Sequence, residues 1–100
     1  ATELQTKVWN TLKKIPKGKV ITYKHLAEAV GKPTAHRSVA SAVGKNPELV
    51  TVPCHRVVRF DGLVGEYAGG REEKIKLLKS EGVEIRDAKI VDKSVFVKKV

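Results

Sequence analysis

Thr22-Tyr23-Lys24-His25-Leu26-Ala27-Glu28-Ala29-Val30-Gly31-Lys32-Pro33-Thr34-Ala35-His36-Arg37-Ser38-Val39-Ala40-Ser41-Ala42-Val43 is the stretch that decides the fold. Thr22 is an N-cap for a helix from Tyr23 to Val30, because its hydroxyl can accept from a first-turn N–H. Gly31 is the C-cap. Lys32-Pro33-Thr34 is a turn, and a second helix runs from about Ala35 to Val43. Two short helices joined by a few residues that include Gly and Pro read as a helix-turn-helix. The second helix is crowded with small side chains. Two readings stand at this point: a recognition helix whose backbone approaches a surface closely, or an Ala/Ser helix packed tightly on its neighbour.

Outward from this pair, Thr2 and Gln5 form a capping-box pattern for a helix over about residues 3–14. Leu4, Val8, Leu12 and Ile15 recur at three- and four-residue spacing and make one buried stripe, flanked by Trp9. Ile15-Pro16-Lys17-Gly18 ends that helix. Downstream, Asn46-Pro47 and Asp61-Gly62 are turns, and glycines 65, 69 and 70 hinge a loop around Glu66-Tyr67-Ala68. A last helix spans Arg71 to about Ser80, with Ile75, Leu77 and Leu78 as its buried residues and Gly82 just past its end. The tail holds Val83, Ile85, Ile90-Val91 and Val95-Phe96-Val97, and is expected to form a small hairpin around Asp92-Lys93. The expected fold class is mainly α with a small β element, a helix-turn-helix domain of winged-helix-like type.

The 100 residues are expected to make one domain. Twenty Lys and Arg stand against 11 Asp and Glu, a net charge of +9. Such a balance favours a polyanionic partner, most often nucleic acid, over a merely basic soluble protein. The single cysteine cannot form an internal disulfide, which fits a reducing, intracellular location. No apolar stretch approaches the length of a membrane span. One Cys and three scattered His form no metal-ligand cluster, so neither metal nor other cofactor is expected.

Pro53-Cys54-His55-Arg56-Val57 carries the chemistry. A thiolate is the reactive form of cysteine, and a neighbouring His or Arg favours it. The run therefore reads as a nucleophile beside its base. The bland alternative is a small buried apolar residue.

Taken together, these blocks resemble the C-terminal domain of the O6-alkylguanine-DNA alkyltransferases, the methylated-DNA–protein-cysteine methyltransferases. The resemblance runs from about Thr6 to Gly82 and leaves 83–100 as an extension. Its anchor is Pro53-Cys54-His55-Arg56-Val57-Val58. Support comes from Gly18-Lys19-Val20-Ile21-Thr22-Tyr23, Arg37-Ser38-Val39, Asn46-Pro47, Val64-Gly65-Glu66-Tyr67-Ala68-Gly69-Gly70 and Leu77-Leu78 with Glu81-Gly82. The resemblance implies a monomeric suicide repair protein. It would flip an O6-alkylated guanine out of double-stranded DNA, since an atom buried in a duplex is reached only by extruding its base, and move the alkyl group to its own cysteine.

By that resemblance Cys54 is the alkyl acceptor, and His55 takes the thiol proton through a water. Glu81 orients the histidine, and Asn46 braces the active-site segment. Tyr23 gives a proton or hydrogen bond to guanine N3; the alternative for it is a helix-start residue with its hydroxyl in solvent. Arg37 is the finger that fills the gap left by the flipped base, or else a phosphate contact or a solvated charge. Ala35, Ser38 and Ala42 allow close approach to the minor groove. Val57, through its carbonyl, and Tyr67 and Ala68 belong to the guanine pocket. Ala68 stands where several family members carry serine, a change that keeps the backbone N–H. Most family members also carry an N-terminal domain, and this chain begins almost directly at the helix before the helix-turn-helix. A sister group, the alkyltransferase-like proteins, binds the lesion without transfer and replaces the acceptor cysteine; Cys54 favours transfer. A plain helix-turn-helix transcription factor, with Cys54 as a redox sensor, is a third reading. It is disfavoured because α-helical base readers carry Asn, Gln and Arg along the helix.

Overall fold

A computed structural model describes residues 1–98. The first helix, α1 (Glu3–Leu12), starts at the capping box: Gln5 N donates to Thr2 Oγ1 at 3.1 Å and Thr2 N donates to Gln5 Oε1 at 2.9 Å. Val8 and Leu12 are fully buried on one face and Ile15 continues their line. Next come β1 (Ile21–Thr22), α2 (Tyr23–Ala29) and α3 (His36–Gly44). Thr22 caps α2 through a 3.1 Å bond from His25 N, and Gly31 adopts φ +76° after it, where a side chain would be strained. Helix α3 packs across α1 and α2 through Val39, Ala42 and Val43. The anticipated helix-turn-helix is present, with its boundaries moved by one residue.

One pairing is not legible in the sequence. Strand β2 (Val57–Val58) pairs in parallel with β1, Ile21 opposite Val57 and Thr22 opposite Val58. This pair joins the helix-turn-helix to the segment that carries Cys54, which forms a 3-10 turn at Cys54–Arg56. The tail is also more structured than the sequence suggested. The hairpin consists of β3 (Ile85–Arg86) and β4 (Lys89–Ile90), so it turns at Asp87-Ala88 and not at Asp92-Lys93. Both turn residues have positive φ, 53° and 58°, the geometry that matches the twist of the paired strands. Asp92 instead accepts from Ser94 N and starts a 3-10 turn, Lys93–Val95.

Helix α4 (Arg71–Ser80) occupies the expected residues, yet its most buried side chains are Lys74 and Leu78, with Ile75 and Leu77 only half-buried. Two apolar clusters result. One joins α1, α2, α3 and Cys54; the other gathers Val20, Val58, Val64, Leu78, Val83, Ile85, Ile90 and Val95. The tail is thus half of the second core: Val20 N donates to Val95 O at 2.9 Å and Val97 N to Val20 O at 2.8 Å. Among the described residues no helix is long and apolar enough to cross a membrane.

Because Ile90 is 1% exposed, Ile90→Ala is expected to lower stability by about 2–4 kcal/mol in urea unfolding, as cavity-forming substitutions do. A loss below about 0.5 kcal/mol, the scale of surface substitutions, would mean that the tail is an appendage and not core.

Candidate active site

Cys54 is 3% exposed and lies in the wall of a cavity of about 520 Å³, within the range of small-ligand pockets. Tyr23 from the start of α2, Ala40 and Val43 from α3, and Tyr67 and Ala68 from the glycine-hinged loop line the same space. Three of the residues expected around the reacting base, Tyr23, Tyr67 and Ala68, are therefore brought to the cysteine. Val57 is not among the lining residues; its carbonyl accepts from Lys74 Nζ.

Behind the cavity wall sits a buried polar chain. His55 is 0% exposed, and its Nε2 lies 3.0 Å from Glu81 Oε2. A carboxylate can only accept, so Nε2 carries the proton and Nδ1 is the bare, basic nitrogen. His55 Nδ1 has no hydrogen-bond partner among the described residues. Tyr67 and the imidazole stand edge to face, with ring centroids 6.3 Å apart. Asn46 ties down the segment into Cys54: its Nδ2 donates to Val52 O at 2.7 Å and its Oδ1 accepts from Glu48 N at 2.9 Å.

Two residues that sequence reasoning passed over complete the site. Arg56 grips Glu81 with Nε on Oε1 at 3.0 Å and Nη2 on Oε2 at 2.7 Å, while Nη1 donates to Ile15 O at 2.7 Å. Lys74 is 0% exposed and donates to the Val57 carbonyl and, at 2.9 Å, to the Glu66 carbonyl. Arg56 sat in plain view inside the cysteine motif. The available signal for Lys74 was its place one turn before Leu78 on the apolar face of α4, where a lysine needs a partner.

Electrostatics follow from burial. Burial pushes the Cys54 thiol up, against the opposing pull of Asn46 and the Lys74 ammonium. Burial pushes His55 down, more than Glu81 raises it. For Glu81 burial alone would raise the carboxyl, but the hydrogen bonds from Arg56 and His55 together outweigh it and hold the carboxyl below its ordinary range. Tyr23 is raised by burial, then by the proximity of Cys54 and Glu66. At neutral pH the site therefore rests as thiol, neutral imidazole, carboxylate and phenol. Cys54 is not a resting thiolate, and a base would have to take its proton to make it one. Among the described residues no group of three or more His, Cys, Asp or Glu side chains is placed to hold a metal ion.

The residues expected on the α3 surface divide. Arg37 and Ser38 are exposed and line a shallow groove with Thr2, Leu4 and Gln5. Ala35 is half-exposed at the N-cap. Ala42 does not face outward: it is 2% exposed against α1, and its carbonyl accepts from Trp9 Nε1 at 2.8 Å. The helical period turns 39, 42 and 43 inward together, so for Ala42 the packed-helix reading holds. Ala40 and Ser41 are the exposed small residues on that part of the helix.

A family model described as the 6-O-methylguanine DNA methyltransferase DNA-binding domain matches residues 3–83. The chain is 48% identical over 81 residues to the methylated-DNA–protein-cysteine methyltransferase of Shigella flexneri, covering 81% of this chain and 47% of that one. To the protein of the same name from Methanosarcina acetivorans it is 47% identical over 81 residues, covering 81% and 52%. The crystal structure of Mycobacterium tuberculosis OGT in complex with DNA superposes with a TM-score of 0.79 at 41% identity, over 81% of this chain and 50% of that one. The crystal structure of S. pombe Atl1 with damaged DNA containing O6-carboxymethylguanine superposes with a TM-score of 0.84 at 34% identity, over 96% and 95%. The chain thus spans about half of these two transferases and nearly the whole of Atl1.

The Lys74 ammonium is held down to about 8, chiefly by burial. At this site the unfolded chain, with its lysine near 10.5, then binds more protons than the native state between these values, and the contribution of Lys74 to stability rises with pH across that window. Lys74→Met is expected to remove that rise, flattening the urea-derived stability profile from pH 8 to 10.5 by up to about 3 kcal/mol. Parallel profiles for the two proteins would mean that the ammonium is not held in a desolvated site.

Proposed function

As the chain belongs to the family of O6-methylguanine DNA methyltransferases, we propose that it repairs DNA by moving the alkyl group of an O6-alkylguanine to Cys54, once per molecule. The observation that carries the reading is a buried cysteine in a cavity large enough to admit a base, backed by a His55–Glu81 pair whose free nitrogen is basic. Double-stranded DNA containing the lesion is the partner. The basic surface supplies sequence-independent attraction to phosphates, and the lesion lowers the cost of opening its pair. Residues 1–98 act as one unit in this scheme, because the tail completes the core that supports the site.

Each residue then has one task. Arg37, exposed on α3, fills the gap left by the extruded guanine, with Ser38 and Ala35 allowing close approach to the minor groove. Tyr67 and the Ala68 backbone flank the guanine. The Val57 carbonyl, which the family resemblance sets against the exocyclic amine, is engaged by Lys74 and does not line the cavity, so it has no contact with the base in this scheme. His55 Nδ1 takes the Cys54 proton through a water, and Glu81 stabilises the imidazolium. The sulfur attacks the alkyl carbon, the S–C bond forms, and the C–O6 pair leaves with guanine. Tyr23, which keeps its proton at neutral pH because its pKa is raised, donates to N3 and neutralises the departing base. The His55 proton then restores the phenol. The Lys74 ammonium opposes the charge of the transient thiolate, an electrostatic stabilisation that strengthens as the bound base displaces water.

A second reading, a lesion-binding protein without transfer, draws on the near full-length match to Atl1. Retention of Cys54 with His55, Asn46 and Glu81 supports transfer instead.

Intact-protein mass spectrometry after mixing with one equivalent of duplex bearing O6-methylguanine separates the two. One methyl gain, mapping to Cys54 and absent in Cys54→Ala, is the expected result; lesion-selective binding without a mass change would establish the binder.

For Arg37→Ala, transfer from duplex is expected to slow by roughly ten- to a hundredfold, the equivalent of the unstacking cost that the guanidinium offsets. Reaction with free O6-benzylguanine should keep its rate. Equal losses on both substrates would remove the finger assignment.

A further inference from the structure

Residues 84–98 lie beyond the matched family region, and they do more in the fold than close the second core. The β3–β4 hairpin is laid along the turn that follows β2. Val64 N donates to Ala88 O and Ile90 N to Gly62 O, both at 2.9 Å, and Leu63 bridges antiparallel to Lys89. The outer side of this joint is basic. A Cβ built on Gly62 would lie 3.3 Å from Lys93 Nζ and 3.4 Å from Lys89 Cε, so both lysines converge over one glycine. From α2, Lys24 places Nζ 4.8 Å from the centre of the Phe60 ring. Phe60 itself is 69% exposed, unusual for a large apolar side chain. The acid within the turn, Asp61, is already engaged by Arg59 at 2.9 Å.

This patch is continuous with the cavity. Arg59, Leu63 and Ala88 line the same space as Cys54, while Ala40 of α3 stands on its wall as well. A nucleotide that delivers its base to Cys54 brings its flanking phosphates to this rim. Duplex DNA carries about one charge per 1.7 Å of axis, and clustered ammonium groups raise the local concentration of such a polyanion.

We infer that the joint between the 59–62 turn and the tail hairpin is a second DNA contact: Lys89 and Lys93 bind phosphates beside the extruded nucleotide, and Phe60 stacks on a neighbouring base. The inference rests on the functional reading above, that the cavity receives a base from DNA. It assigns to the tail a share of the DNA affinity that residues 3–83 do not supply.

The test is duplex affinity measured against salt for the full chain and for Lys89→Ala/Lys93→Ala. The slope of log K against log salt is expected to shrink by about 2, close to one unit per lost phosphate contact. The urea midpoint and the transfer rate at saturating duplex should stay at wild-type values. Phe60→Ala is expected to weaken binding roughly tenfold with the slope unchanged. Lys76→Ala/Lys79→Ala removes the same charge from α4 and should change the slope far less; an equal loss would reduce the effect to net charge and overturn the inference. A wild-type slope in Lys89→Ala/Lys93→Ala, in a protein that still binds and transfers, overturns the tail contact alone. Failure of the wild-type chain to bind duplex overturns the functional reading and this inference together.

Discussion

The geometry of the site depends on one ion pair, the fork of Arg56 on Glu81. Its third arm reaches the Ile15 carbonyl just beyond α1. The fork therefore joins three segments far apart in the chain: the end of α1, the cysteine turn and the end of α4. Both side chains are nearly enclosed, with 14% and 8% exposure. Removing one partner of such a pair leaves a buried charge and costs about 3–5 kcal/mol. Glu81 Oε2 serves Arg56 and His55 at once, so the arginine sets the position of the oxygen that sets the tautomer of the histidine. Gly18 belongs to this junction too. It has φ +87°, and a Cβ there would meet the Glu81 carbonyl at 3.2 Å; glycine is needed for both reasons.

Around that fork the charges are arranged so that Cys54 and His55 are both uncharged at rest. Burial holds the thiol protonated and the imidazole neutral, the combination in which a proton can pass from one to the other. A permanently ionised cysteine would be exposed to oxidants and to unselective alkylation, since the thiolate is the reactive form. Lys74 is the counterweight. Burying an ammonium is unfavourable, and two carbonyls compensate it. They also fix the loop that carries Tyr67 and Ala68 relative to β2. One buried charge thus links the shape of the pocket to its electrostatics.

The tail changes what kind of domain this is. With Ile85, Ile90 and Val95 in the second cluster and Ala88 in the cavity wall, it is structural support and rim at once. Packing of this sort couples stability to the shape of the site, because close-packed interiors transmit strain.

Much was legible in the sequence because the signals were local. The capping box at Thr2, the stripe Val8–Leu12–Ile15 and the glycines after α2 and α4 are set by backbone sterics and helical period, and each helix appeared within two residues of its expected limits. The cysteine motif and the family resemblance likewise depended on residue order alone. The rest is non-local. Strands β1 and β2 are two residues each and about 35 positions apart, too short to carry a period. Asp87-Ala88 turned the hairpin because the register Ile85 to Ile90 buries both isoleucines, which no local turn preference at Asp92 could outweigh. Ala42 faces α1 and Lys74 reaches the Val57 and Glu66 carbonyls because of what packs against them. By itself, then, the sequence determined the helices, their caps and the placing of Cys54 beside His55 and Arg56, since those follow from neighbours in the chain. Only the tertiary structure decided which charges are desolvated and which carbonyls hold them, because burial is a property of the assembled core.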